Sequence, residues 1–144
     1  MAVWYDCMTG LQKNVKACNI TAIPDANVVI RKLPWVRGAT LPGVILAPVP
    51  ETIQQVNNKQ LEIGYGVHVL IVRAGNQNLT AGLDSINDWR EAIETKLRET
   101  ANPDASSVIN TRIEPSGLIA PSAFLQMYDI SHFVARCISR EDFA

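Results

Sequence analysis

The chain has 144 residues, 47% hydrophobic and 19% charged, with a formal charge of -1. That length suits one domain burying roughly 70% of its unfolded surface, and that composition excludes a disordered chain. The near-neutral charge, with no basic run, excludes nucleic-acid binding through bulk electrostatics, and no stretch is apolar over a membrane-spanning length.

The first predicted element is a helix over 3–18. Trp4, Cys7, Met8, Leu11, Val15 and Cys18 recur at helical spacing and form one apolar stripe. Gly10 weakens that helix by about 1 kcal/mol relative to Ala. The segment lacks the continuous apolar core of a signal peptide. The sequons Asn19-Ile20-Thr21 and Asn78-Leu79-Thr80 are therefore expected to be chance matches. The cysteine count, three, is too small and odd for a disulfide framework and fits a reducing cytoplasm. Cys7 and Cys18 share a helix face but lie about 16 Å apart, too far to bond. With Cys137, in a predicted strand, they read as core residues.

Pro24 and Asp25 turn the chain. Two β-prone runs follow, 27–33 and 43–49, joined by KLPWVRGATLPG at 32–43. Pro48 and Pro50 mark the end of the second run as an edge or a bend. From 52 to 60 the chain is polar, with a turn expected at Asn57-Asn58. The run 61–73 alternates Leu61, Ile63, Tyr65, Val67, Val69 and Ile71 on one face. Both of its faces turn apolar over 69–72, as expected of a central strand covered on both sides. The spacing then predicts a loop over 74–85 and a helix over 85–99. Asp84 or Ser85 would cap it, with Ser85 and Asp88 at capping-box spacing. Its buried stripe would be Ile86, Trp89, Ile93 and Leu97, with Arg90–Glu94 and Glu94–Arg98 pairing on the wet side. Further elements are a strand over 108–114 with Ile109, Thr111 and Ile113 on one face, a loop over 115–121, a helical turn over 122–127 and a strand over 129–139. The order α-β-β-β-α-β-β, with two single-stripe helices, predicts an α+β domain: a mixed or antiparallel sheet with both helices on one face and protruding loop or hairpin arms.

Chemical signatures are weak. His68 and His132 lie in strands with no Cys or carboxylate beside them at metal-ligand spacing, and fit local hydrogen bonding. Gly64-Tyr65-Gly66 sits mid-strand with no helix N-terminus to receive phosphate, so it reads as a bulge or a close backbone approach. Neither a nucleophile–base pair, nor a metal set, nor a cofactor loop emerges, and the chain is expected to be neither an enzyme nor a cofactor carrier.

Surfaces carry more. Pro34 and Pro42 bracket and stiffen the 32–43 segment, and a stiffened loop loses less entropy on docking. Trp35 and Arg37 belong to the residue types enriched at interface hot spots. Two expectations follow: either Trp35 folds back to cap the core, or the loop is an assembly surface. The polar arm, with Gln54, Gln55, Asn57 and Asn58, favours assembly, because an arm without a core of its own needs a neighbour.

RKLPWVRGATLPGVILAPVPE, IGYGVHVLIVRAGNQNL and YDISHFVARCISRE together resemble the tail terminator group among the neck and tail-completion proteins of tailed bacteriophages. The similarity is one of pattern, over 3–140. It implies a virion subunit, made in the host cytoplasm, that forms a homo-oligomeric ring, usually a hexamer. Such a ring caps the tail tube, joins it to the neck and contacts other neck and tail-tube proteins, with no membrane and no sequence-specific nucleic acid. The alternatives are a head–tail connector or adaptor subunit, a cytosolic oligomerising α+β module, and a small enzyme with a dispersed site.

Overall fold

Trp4, Cys7, Met8, Leu11 and Val15, five apolar residues at helical spacing, lie in α1 (Ala2–Ala17), which ends one residue before Cys18, and a 3-10 turn (Asp25–Asn27) leads into β1 (Val28–Ile30). Then come β2 (Gly43–Gln55), β3 (Gln60–Ala74), α2 (Leu79–Glu99), β4 (Val108–Glu114) and β5 (Tyr128–Asp142). The computed structural model describes residues 2–57, 59–74, 79–114 and 128–142. The element order matches the sequence expectation, and the α+β class with it. The five strands form one mixed sheet, ordered β1-β2-β3-β5-β4, in which only β1 and β2 run parallel.

Both helices cover one face. Cys7, Leu11 and Val15 of α1 and Ile86, Ile93 and Leu97 of α2 meet Val67, Val69 and Ile71 of β3 and Phe133 and Ala135 of β5. Each fully buried large side chain of this layer contributes roughly 1.5–3 kcal/mol. A second, smaller cluster lies on the opposite face. Ile45, Leu70, Val72 and Ile130 are covered there by Val29, Val36, Ala39 and Leu41. The two-sided burial expected at 69–72 is thus present.

Gly10 has a packing role that its helix propensity hides. A Cβ there would fall 1.7 Å from Asn102 Oδ1. The Asn102 side chain occupies that space, donating to Cys7 O at 3.1 Å and accepting from the Asp104 and Ala105 amides. It ties the segment after α2 to the middle of α1.

Several local expectations are corrected. β1 ends at Ile30 rather than 33, because the chain leaves the sheet edge to cover its helix-free face. β2 does not stop at its prolines: it runs to Gln55, with a register shift between Val49 and Thr52. α2 begins at Leu79, so Asp84 and Ser85 lie inside the helix rather than at its start. Arg90 is not on the wet side. It is 8% exposed, donates from Nε to Glu94 and from Nη1 to Ser131 Oγ, and lies 5.5 Å from the Phe133 ring centroid. Trp89, expected in the buried stripe, is half-buried at the margin of the core. Ile109 does not share a face with Thr111 and Ile113. The irregularity between Val108 and Asn110 turns it outward, leaving it 57% exposed. The loop over 115–121 and the turn over 122–127 fall outside the described residues.

Candidate functional site

The segment from Arg31 to Pro42 is held by its own backbone acceptors. Arg31 Nη1 donates to the carbonyls of Trp35 (2.8 Å) and Arg37 (2.9 Å), and Asn27 Nδ2 donates to Pro42 O (2.8 Å). The Ala39 amide reaches Val36 O across a turn in which Gly38 takes φ +76, a conformation that costs a glycine little. Val36, Ala39 and Leu41 face the sheet and close the second cluster. Trp35 does not cap the core. It is 66% exposed; Arg37 and Leu33 are exposed as well, while Pro34 and Pro42 are half-buried. The loop is therefore a lid built by its small and aliphatic residues, with the indole left outside.

The polar arm is the end of the β2–β3 hairpin. Past the register shift, Thr52, Ile53, Gln54 and Gln55 pair with Gly64, Ile63, Glu62 and Leu61. Val56 N donates to Gln60 O, Lys59 N donates to Asn57 Oδ1, and Gln55 Nε2 donates to Asn57 O. Gln54, Gln55 and Asn57 are exposed, and Ile53 stands 58% exposed beside them; Asn58 lies outside the described residues.

Between these ends, the helix-free face carries polar groups that the sequence reading did not join. Arg136 lies across Gly66, where a Cβ would come within 2.7 Å of Arg136 Nη1, and a Cβ on Gly64 would fall 2.6 Å from Thr52 Oγ1. The expectation of a close approach at Gly64-Tyr65-Gly66 is met by side chains rather than by a backbone. Arg136 pairs with Glu114 and donates to Pro50 O at 3.0 Å. Glu62 lies between Arg112 (3.5 Å) and Arg140 (3.7 Å). His68 Nδ1 and His132 Nε2 are 2.7 Å apart. Burial first, then the Arg136 charge, holds His68 below its usual value; burial, His68 and Arg90 do the same to His132. Such a hydrogen bond requires one ring to donate and the other to accept, which a neutral pair satisfies.

Among the described residues no three His, Cys, Asp or Glu side chains come together as a metal set. The candidate residues do not converge on one point. Trp35 and Arg37 sit at one end of the sheet, Gln54, Gln55 and Asn57 at the other. The arginine and histidine groups between them become visible only through the β3–β5 register, which aligns Gly66 with Arg136 and sets His68 diagonal to His132. Alternation alone could have placed His68 and Arg136 each on the helix-free side; the pairing of the strands brings them together. No protein-family model matches the chain, and no curated protein matches it either.

Proposed function

We propose that this chain is a structural virion subunit that forms a ring at the head–tail junction, caps the tail tube and joins it to the neck. The observation that carries the reading is the separation of two exposed apolar groups. Leu33 and Trp35 are presented by the loop over Ile45; Ile53 and Val56 stand on the hairpin arm. At about 3.3 Å per residue, Ile45 and Ile53 are about 26 Å apart along β2. A ring needs two different patches on each subunit, one docking on the other in the next copy, and two such patches exist here. Neither contributes to its own subunit's core, so burying them costs the fold nothing. The resemblance of the sequence to the tail terminator group supplies the location in the virion.

The test is sedimentation velocity with negative-stain imaging of the purified protein. A closed ring several times the 15.8 kDa chain mass is expected. A monomer or simple dimer across the accessible concentration range, with no ring induced by tail tubes, overturns the reading.

A further inference from the structure

His68 of β3 and His132 of β5 bring two imidazole nitrogens, Nδ1 and Nε2, to 2.7 Å on the face that the helices leave open. They stand diagonally across the strand pair, His68 opposite Val134 and His132 opposite Leu70. Both rings are half-buried, so an ion in solution can reach them. Two nitrogens about 2.0 Å from one metal ion are about 2.8 Å apart when set at right angles and about 3.3 Å apart in a tetrahedron. The observed separation matches the right-angled case. We propose that His68 and His132 form a two-histidine site for a divalent transition-metal ion of tetragonal preference, copper(II) before nickel(II).

The ion takes the place of the hydrogen bond between the rings. One facing nitrogen already offers a lone pair; the other frees its own when its proton moves to the far nitrogen of the same ring. Both rings stay neutral and no proton is released. The ring centroids are 4.9 Å apart, about one ring width more than the nitrogens, so the two nitrogens meet head-on. Each ring therefore pivots to aim its lone pair at the ion, and water fills the remaining positions. Burial favours the neutral, ligating form of both imidazoles. The Arg136 charge opposes a cation, but its ion pair with Glu114, which stands diagonal to His132 from β4, offsets it. Imidazole suits copper, and copper(II) stands highest in the affinity order of the divalent first-row ions. A structural zinc site closes with four protein ligands, and the described residues bring no third His, Cys, Asp or Glu to this pair.

The probes are copper(II) chloride and nickel(II) chloride, titrated into the full chain in a non-coordinating buffer. A Cys18→Ser background removes the one cysteine that is not fully buried. Calorimetry gives stoichiometry and affinity, and electron spin-echo spectroscopy of the copper form counts the imidazoles. Expected are one ion per chain, affinity in the micromolar range for copper and weaker for nickel, and two equivalent imidazoles. Affinity should fall as pH drops through 6.5, because protons compete for the same nitrogens. His68→Gln and His132→Gln should each weaken copper binding at least about tenfold and leave one imidazole in the spectrum. The imidazole count on the unsubstituted pair decides the matter even if a variant folds poorly. Millimolar affinity, a spectrum with one imidazole or none, or copper binding unchanged in both glutamine variants would each overturn the proposal.

Discussion

The two faces of the sheet use the same strands for different ends. On the helix-covered side, α1 and α2 seal β3 and β5, and Phe133 is fully buried with Arg90 beside its ring. On the other side Val36, Ala39 and Leu41 cover one end, and elsewhere the described residues present arginines, glutamates and two histidines. The covered face holds the domain together; the open face and its two ends are where large side chains stay outside. Alternation along a strand makes this division possible, because neighbouring residues serve opposite surfaces.

The division breaks first at Phe133. Phe133→Ala should lose about 3–5 kcal/mol, since it opens a cavity between α2 and β5 and strips Arg90 of its ring contact. Chemical denaturation measures it; a loss below about 1 kcal/mol would mean that the helix layer does not carry the stability.

Gly10→Ala sharpens the same face by reversing the sign expected from helix propensity. Ala is favoured over Gly by about 1 kcal/mol in a helix, but the added methyl displaces the Asn102 side chain and its hydrogen bonds. A net loss of about 2 kcal/mol is expected. In an Asn102→Ala background the same substitution should become neutral or stabilising, and a thermal-melt double-mutant cycle reads that coupling.

How much of this was legible in the sequence follows the reach of each interaction. Helical spacing showed the α1 stripe, period-two alternation showed β3, and the apolar run at 69–72 showed a strand covered twice. The start of α2 was not legible, because Asp84 and Ser85 look like caps wherever they stand and Gly82 weakens the helical pattern before them. Arg90 was misplaced although its spacing from Ile86 and Ile93 puts it on the buried side; its charge and the Glu94 pair argued for water. Arg136 over Gly66, the His68–His132 contact and the Asn102 bond to Cys7 O depend on pairings between distant segments, which no local pattern encodes. Of the surface residues, the bracketing prolines marked the loop, but only the fold shows that Val36 and Leu41 turn inward while Trp35 turns out.

The open face should respond to pH. Both histidines sit below their usual value of 6.5 in the folded chain, so the unfolded chain binds more protons as pH falls through that value. Stability is therefore fully present above about pH 7 and is lost progressively as pH drops through 6.5 towards the folded values. His68→Gln should flatten this part of the stability profile, measured by urea titration from pH 7.5 to 5. An unchanged slope would mean that the pair is not what titrates.

The smallest expected effect on stability belongs to the opposite extreme of the comparison, the outward side of the loop. Trp35→Ala with Arg37→Ala removes two exposed side chains. The loop keeps its shape, because Arg31 binds the carbonyls of residues 35 and 37 rather than their side chains. Val36, Ala39 and Leu41 still close the second cluster. The melting temperature of the monomer should therefore stay within the range of ordinary surface substitutions, about 0.5 kcal/mol. Assembly should not be spared. If Trp35 anchors the contact between copies, its truncation costs upward of about 2 kcal/mol, more than tenfold in affinity, and rings should dissociate at concentrations where the wild type is closed. Calorimetry and sedimentation on the same samples separate the two roles. An early melt with intact rings would return Trp35 to the core, and would leave the hairpin arm, with Ile53 and Val56, as the apolar end still available to a neighbour.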